Sequence, residues 1–150
     1  MACVARRIAW LGHGVAPPVA RVALALPFLR SGLTRWDGFF SLSPATGFLF
    51  EEQFKLHLFG STYGFPFADV LAYGVASAEI LLPVLLIVGL ATRVAALGLL
   101  LMTAVIQLVF PDGWANFHLY WAALALCVMA LGPGRLALDH WVAAPSTSVG

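Results

Sequence analysis

The stretch Ala78-Glu79-Ile80-Leu81-Leu82-Pro83-Val84-Leu85-Leu86-Ile87-Val88-Gly89-Leu90-Ala91-Thr92-Arg93 decides the class of the fold. It is apolar enough to lie in a bilayer, yet it carries a carboxylate, a proline and a closing arginine. A carboxylate at mid-membrane depth costs about 3 kcal/mol on insertion scales, so Glu79 needs a partner or a purpose. Pro83 follows four residues later and has no N–H to give to the Glu79 carbonyl. The spacing predicts a helix kinked there, with an acid and an open backbone acceptor at one level of the membrane.

The rest of the chain has the same character. Its 150 residues are 61% hydrophobic and 10% charged, with a mean hydropathy of +0.93. As a soluble domain it would expose one continuous apolar surface, so the class is integral membrane and all-α, in a single domain. The net charge of +1 says nothing about partners, and no basic surface suggests nucleic acid. Cys3 and Cys127 are far apart and form no C-x-x-C pair, which removes a self-contained thiol–disulfide site. Arg6-Arg7 precede Gly12, Gly14, Pro17 and Pro18 rather than a clean apolar core and cleavage site. They read as a topogenic charge and not as a cleaved export signal.

Four spans are predicted, at about 18–36, 67–90, 94–110 and 114–131, forming a four-helix bundle with flexible ends at 1–16 and 141–150. Pro17-Pro18 suit the first turn of the first span, where N–H groups have no partners to lose. Ala91-Thr92-Arg93 is so short a turn that the second and third spans must lie side by side. Pro111-Asp112-Gly113 is a tight turn. Residues 37–66 are aromatic but too charged to span, with Glu51, Glu52, Gln53, Lys55 and His57 among the phenylalanines. Ser43-Pro44 reads as a helix cap, and an interfacial helix lying over the bundle mouth is expected. Phe54 to Leu58 alternate with a period of two, which competes with that assignment.

Four spans place both termini on one side. Arg6, Arg7, Arg21, Arg93 and Arg135 then share a face, opposite Arg35 and Lys55, and the larger group belongs in the cytoplasm of a bacterial inner membrane. Most intramembrane polar groups fall in the outer half: Arg30, Thr103, Gln107 and His118, with Trp114 and Trp121 beside the histidine, and Glu79 deeper. One reading gathers Arg30, Glu79, Gln107 and His118 into an outward-facing polar pocket with 37–66 as its lid. The other has Arg30 snorkelling, His118 at the interface, and Thr103 and Gln107 joining helices. An Arg30–Glu79 pair needs the long arginine to reach inward. Unpaired, Glu79 would be a neutral donor suited to a quinone carbonyl. His118 is the one histidine in a span, so a bis-histidine haem is not encoded. A metal site is not spelled out either, and His57 with Glu51 and Glu52 reads as solvated surface.

Several motifs together resemble the DoxX family of small four-helix bacterial membrane proteins, over about Arg21 to Trp141. They are Phe28-Leu29-Arg30-Ser31-Gly32, then Glu79 with Gly89-Leu90-Ala91-Thr92-Arg93-Val94-Ala95-Ala96-Leu97. Met102 and the closing Gly132-Pro133-Gly134-Arg135-Leu136-Ala137-Leu138-Asp139 complete the set. The closing turn is the most specific element, with Ala137 where a serine is usual. Pro83, Gly89, Arg93, Gly132, Pro133, Gly134, Arg135 and Asp139 form the structural part of the pattern. The resemblance implies an accessory subunit of a membrane oxidoreductase system linked to quinone. Its partner would be a membrane or periplasmic redox protein docking through 37–66, and a homo-oligomer is compatible. The alternative is a non-enzymatic scaffold or transport helper for a secreted or metal-handling partner. No catalytic residue is carried over, and no cofactor is evident apart from a possible quinone.

Overall fold

The structure is a computed structural model describing residues 2–134 and 136–142, with side chains from residue 14 onward apart from Leu58 and Val142. Four long helices carry it. They are α1 (Ala2–Thr34), α3 (Ala68–Val88), α4 (Thr92–Val109) and α5 (Leu119–Leu131). α5 is extended at its start by a 3-10 turn (Pro111–Gly113) and a π-helical turn (Trp114–His118). The segments Ala68–Val88, Thr92–Val109 and Pro111–Leu131 are long and apolar enough to cross a membrane. α1 packs against α3 and α5, and α4 packs against the same two, so the four helices close into a bundle.

The bundle centre is built from Leu24, Ala25 and Phe28 of α1, Leu86 of α3, Ala95, Ala96 and Leu99 of α4, and Ala125 and Val128 of α5. Alanines at the contacts let backbones approach, which is how helices associate when lipid removes the hydrophobic drive. α1 and α3 approach most closely at Gly32, where a Cβ would sit 2.9 Å from Ile80 and 3.0 Å from Glu79. That contact fixes the level of the end of α1. It stops beside the middle of α3, and the two turns of α3 from Ala68 to Val75 project beyond it.

The space beyond α1 is filled by residues 36–64, and here the structure departs from the expected interfacial helix. The segment begins with a hairpin, β1 (Trp36–Gly38) and β2 (Ser41–Leu42). It continues as one short helix, α2 (Pro44–Phe48), and a π-helical turn (Leu49–Gln53). A second hairpin, β3 (Lys55–Leu58) and β4 (Ser61–Gly64), completes it. Ser43 caps α2 by accepting the Thr46 N–H at 3.3 Å. Beyond it the period-two alternation wins. Leu56 pairs with Tyr63 and packs against a second apolar cluster of Phe50, Phe54, Ala72 and Val109. The turn Phe59-Gly60 has both central residues at positive φ, as a two-residue hairpin turn requires.

Two further expectations shift. The chain from Ala2 is helical and continuous with the first span, so Pro17 and Pro18 lie inside α1 rather than at its start. Its last residues, 143–150, where a flexible end was expected, lie outside the described residues. α3 runs unbroken through Pro83, which is buried in the bundle.

Candidate functional site

Glu79 is 2% exposed, and its partner is Arg35, not Arg30. The guanidinium meets the carboxylate with two parallel donors. Arg35 Nη2 donates to Glu79 Oε1 at 2.8 Å, and Arg35 Nε donates to Oε2. The reason lies in the helix repeat. Arg21, Ala25, Phe28 and Gly32 form a buried stripe at three- and four-residue spacing, and Arg35 continues it. Arg30 lies five residues before Arg35, roughly 140° away around the helix, and is exposed. The expected pair therefore fails on direction rather than depth. Arg35, expected at the outer end of the first span, immediately follows α1 at the level of Glu79.

The arginine is held from every side. Ser31 Oγ lies 3.4 Å from Nη2, and the Phe50 ring centroid lies 5.3 Å from the guanidinium carbon. The Arg35 carbonyl accepts the Ser43 N–H at 2.8 Å and the Thr46 hydroxyl at 3.2 Å. The hairpin-bearing segment is thereby tied to the residue that neutralises Glu79.

Beside the pair, on the outer side of α3, lies a groove of about 420 Å³. Trp36, Phe39 and Phe40 of the first hairpin form one wall, and Ser77, Ile80, Leu81 and Val84 of α3 the other. Trp36 Nε1 is buried and finds no acceptor among the described residues. None of the sequence-predicted candidates lines this groove. Its signal in the sequence is the pair Phe39-Phe40 at a turn, which looks like ordinary loop aromaticity until the hairpin folds back onto α3.

The remaining candidates assemble elsewhere, between α4 and α5. Gln107 Nε2 donates to the Pro111 carbonyl at 3.1 Å, which turns its Oε1 toward His118 Nδ1 at 2.6 Å. Because Oε1 can only accept, Nδ1 carries the proton in the neutral ring. Trp121 lies 5.5 Å from the His118 ring and 5.1 Å from Phe28, centroid to centroid. Thr103 donates to the Leu99 carbonyl at 2.8 Å and lines a second groove with Gln107 and Trp114. No hydrogen bond joins this set to Glu79 among the described residues. The single pocket expected around Arg30, Glu79, Gln107 and His118 is thus two separate polar centres, with Arg30 in neither.

The closing motif has a mechanical role at the opposite end. Asp139 accepts the N–H groups of Ala91 and Thr92 at 2.7 and 2.8 Å, capping α4 from a distant part of the chain. Its own N–H donates to the Gly89 carbonyl at 2.9 Å. Gly89 has φ +78°, and a Cβ there would lie 2.0 Å from Arg21 Nη1 and 2.6 Å from Ala137. Burial alone pushes the Asp139 carboxyl up. Hydrogen bonds from Thr92 and Ala91, together with the charge of Arg21, outweigh it and hold the group below its ordinary value. Gly132 has φ +77° and lies against the exposed Arg93. Gly134, one residue past Pro133, packs against Pro17. Arg135 lies outside the described residues.

Comparison with known proteins agrees with this architecture. An uncharacterised protein of Haemophilus influenzae is 27% identical over 148 residues, covering 86% of this chain and 84% of its own length. No solved structure matches the chain. The DoxX family profile matches residues 16–112, which hold α1 from Ala16 onward, both hairpins, α3 with Glu79, and α4, and stop short of the closing turn. With well over half of its length matched, the chain belongs to the DoxX family.

Proposed function

We propose that this protein is an accessory subunit of a quinone-linked redox system in the bacterial inner membrane. The observation that carries the reading is the aromatic-walled groove beside the Arg35–Glu79 pair. A flat quinone ring suits the faces of Trp36 and Phe40, and an isoprenoid tail suits Ile80, Leu81 and Val84. Glu79 acts as the counter-ion that holds Arg35, and through it the hairpin wall, rather than as a neutral proton donor. Arg21 and Arg93 mark the end that the positive-inside rule assigns to the cytoplasm, with both termini. The hairpin end then faces outward, where a redox partner docks on residues 37–66.

The test is mass spectrometry of the full chain extracted in mild detergent, set against Trp36→Ala and Phe40→Ala. Quinone retained by the wild type and lost from both variants is the expected result. Quinone no more abundant than in an unrelated membrane protein extracted alongside would sink the reading.

One observation favours a second function, that of a non-enzymatic scaffold for a secreted or metal-handling partner. Of the intramembrane polar groups, Glu79 is paired with Arg35 and His118 with Gln107, so each carboxylate and imidazole is spent on a neighbouring side chain. A co-purified polypeptide whose capture depends on the second hairpin, with no quinone present, would select it.

A further inference from the structure

Three phenylalanines adopt a backbone conformation that their side chains disfavour. Phe40, Phe59 and Phe67 have φ of +59°, +50° and +61°. Glycine or asparagine would occupy each position with less strain, because a bulky side chain crowds the backbone in the left-handed region. Strain of this kind persists where something else depends on the side chain. The hairpin turns account for a positive φ at Phe40 and Phe59 but not for a phenylalanine there, and the three rings are 75%, 105% and 81% exposed, Phe40 meeting Phe39 edge-on beside the groove. The fourth such residue, Ala91, differs, because the Asp139 carboxylate grips its N–H and holds it there.

We infer that Phe40, Phe59 and Phe67 are wedges set into the phospholipid bilayer, and that both hairpin turns and the entry to α3 contact lipid rather than water. The inference does not depend on the quinone reading. Two of the three are continuous with the outer surfaces of the spanning helices. Phe40 shares its groove with Leu81 and Val84, both exposed on α3. Phe67 immediately precedes α3 and shares a third groove with Val70, Leu71 and Met102, between α3 and α4. Phe59 tips the second hairpin, whose strand β3 packs against α4. An apolar ring at the membrane boundary gains burial that no contact within the chain supplies. Glu51 and Glu52, on the π-helical turn between the hairpins, are exposed and supply a water-facing reference.

The experiment places one nitroxide label on the full chain at Phe40→Cys, Phe59→Cys, Phe67→Cys or the reference Glu51→Cys, in a Cys3→Ser, Cys127→Ala background. The variants are reconstituted in phosphatidylethanolamine–phosphatidylglycerol vesicles. Labels at 40, 59 and 67 are expected to collide with oxygen in preference to a polar nickel chelate, and the label at 51 to show the reverse. Labels at 59 and 67 as open to the nickel chelate as the label at 51 overturn the inference.

Discussion

Glu79 and Arg35 are a buried pair whose separate charges are costly and whose joint presence is tolerable. Taking two ions out of water costs several kcal/mol each, and only good geometry with added hydrogen bonds offsets this. The geometry here is good, with two parallel donors on one carboxylate, Ser31 Oγ beside the same Nη2 and Phe50 over the guanidinium. Removing one member should therefore hurt more than removing both. Glu79→Ala is expected to destabilise the protein by about 3–5 kcal/mol by stranding Arg35, whereas Glu79→Leu with Arg35→Leu should cost far less than the sum of the two single changes. Denaturation of wild type, the two single leucine variants and the double variant in one detergent measures the coupling, and Glu79→Ala measured alongside gives the cost of stranding Arg35. At this scale the sequence was half legible. A carboxylate inside an apolar run announces that it has a partner, but identifying it needed the direction of each α1 side chain. The stripe Arg21, Ala25, Phe28, Gly32, Arg35 contains that direction, and position along the membrane normal alone pointed to Arg30. Gln107 was legible as a helix-joining group and His118 as an interfacial or pocket residue, though not as each other's partners.

Among the elements, α4 shows how a distant residue finishes a helix. Its first residues offer no side-chain cap of their own, and Asp139 accepts two of the N–H groups left open there. Losing that cap should cost about 1–2 kcal/mol, as at other helix starts. The contribution depends on pH with a definite sign. A carboxyl held below its ordinary value of 3.8 in the folded chain stabilises fully above that value and loses its contribution as pH falls through the folded value. The Tm gap between wild type and Asp139→Asn should be constant near neutral pH and should close on acidification below about 4. A gap that widened in acid would rule the cap out. The long helices were legible from hydropathy and the turns between them. The hairpins were not, although Phe54 to Leu58 alternates correctly. A strand is stable only when something lies under it, and the Phe50–Phe54–Val109 cluster that receives Leu56 is assembled from three separate elements.

For the molecule as a whole, the bundle has one incomplete corner. α1 ends beside Glu79, and two short hairpins with α2 occupy the space that two more turns of α1 would have filled. Non-helical backbone at that depth is admissible only where protein covers it, and the Arg35 carbonyl, Ser43 and Thr46 provide part of the cover. If the Arg21–Arg93 end is cytoplasmic, a reporter enzyme active only outside the cytoplasm should be silent when fused after Val142 and active when inserted at Gly60. The opposite pattern would invert the arrangement.

Arg35 and Glu79 are separated by 44 residues of chain, and this matters while the protein is being made. Arg35 reaches the membrane first, at the end of a helix that alone would bring an unneutralised cation into hydrocarbon. The chain must extend past both hairpins before the neutralising carboxylate arrives. The expectation is that the end of α1 stays hydrated until α3 enters, so that the two insert as a unit, and that a chain truncated before Glu79 leaves position 35 open to a water-soluble thiol reagent in the Arg35→Cys variant.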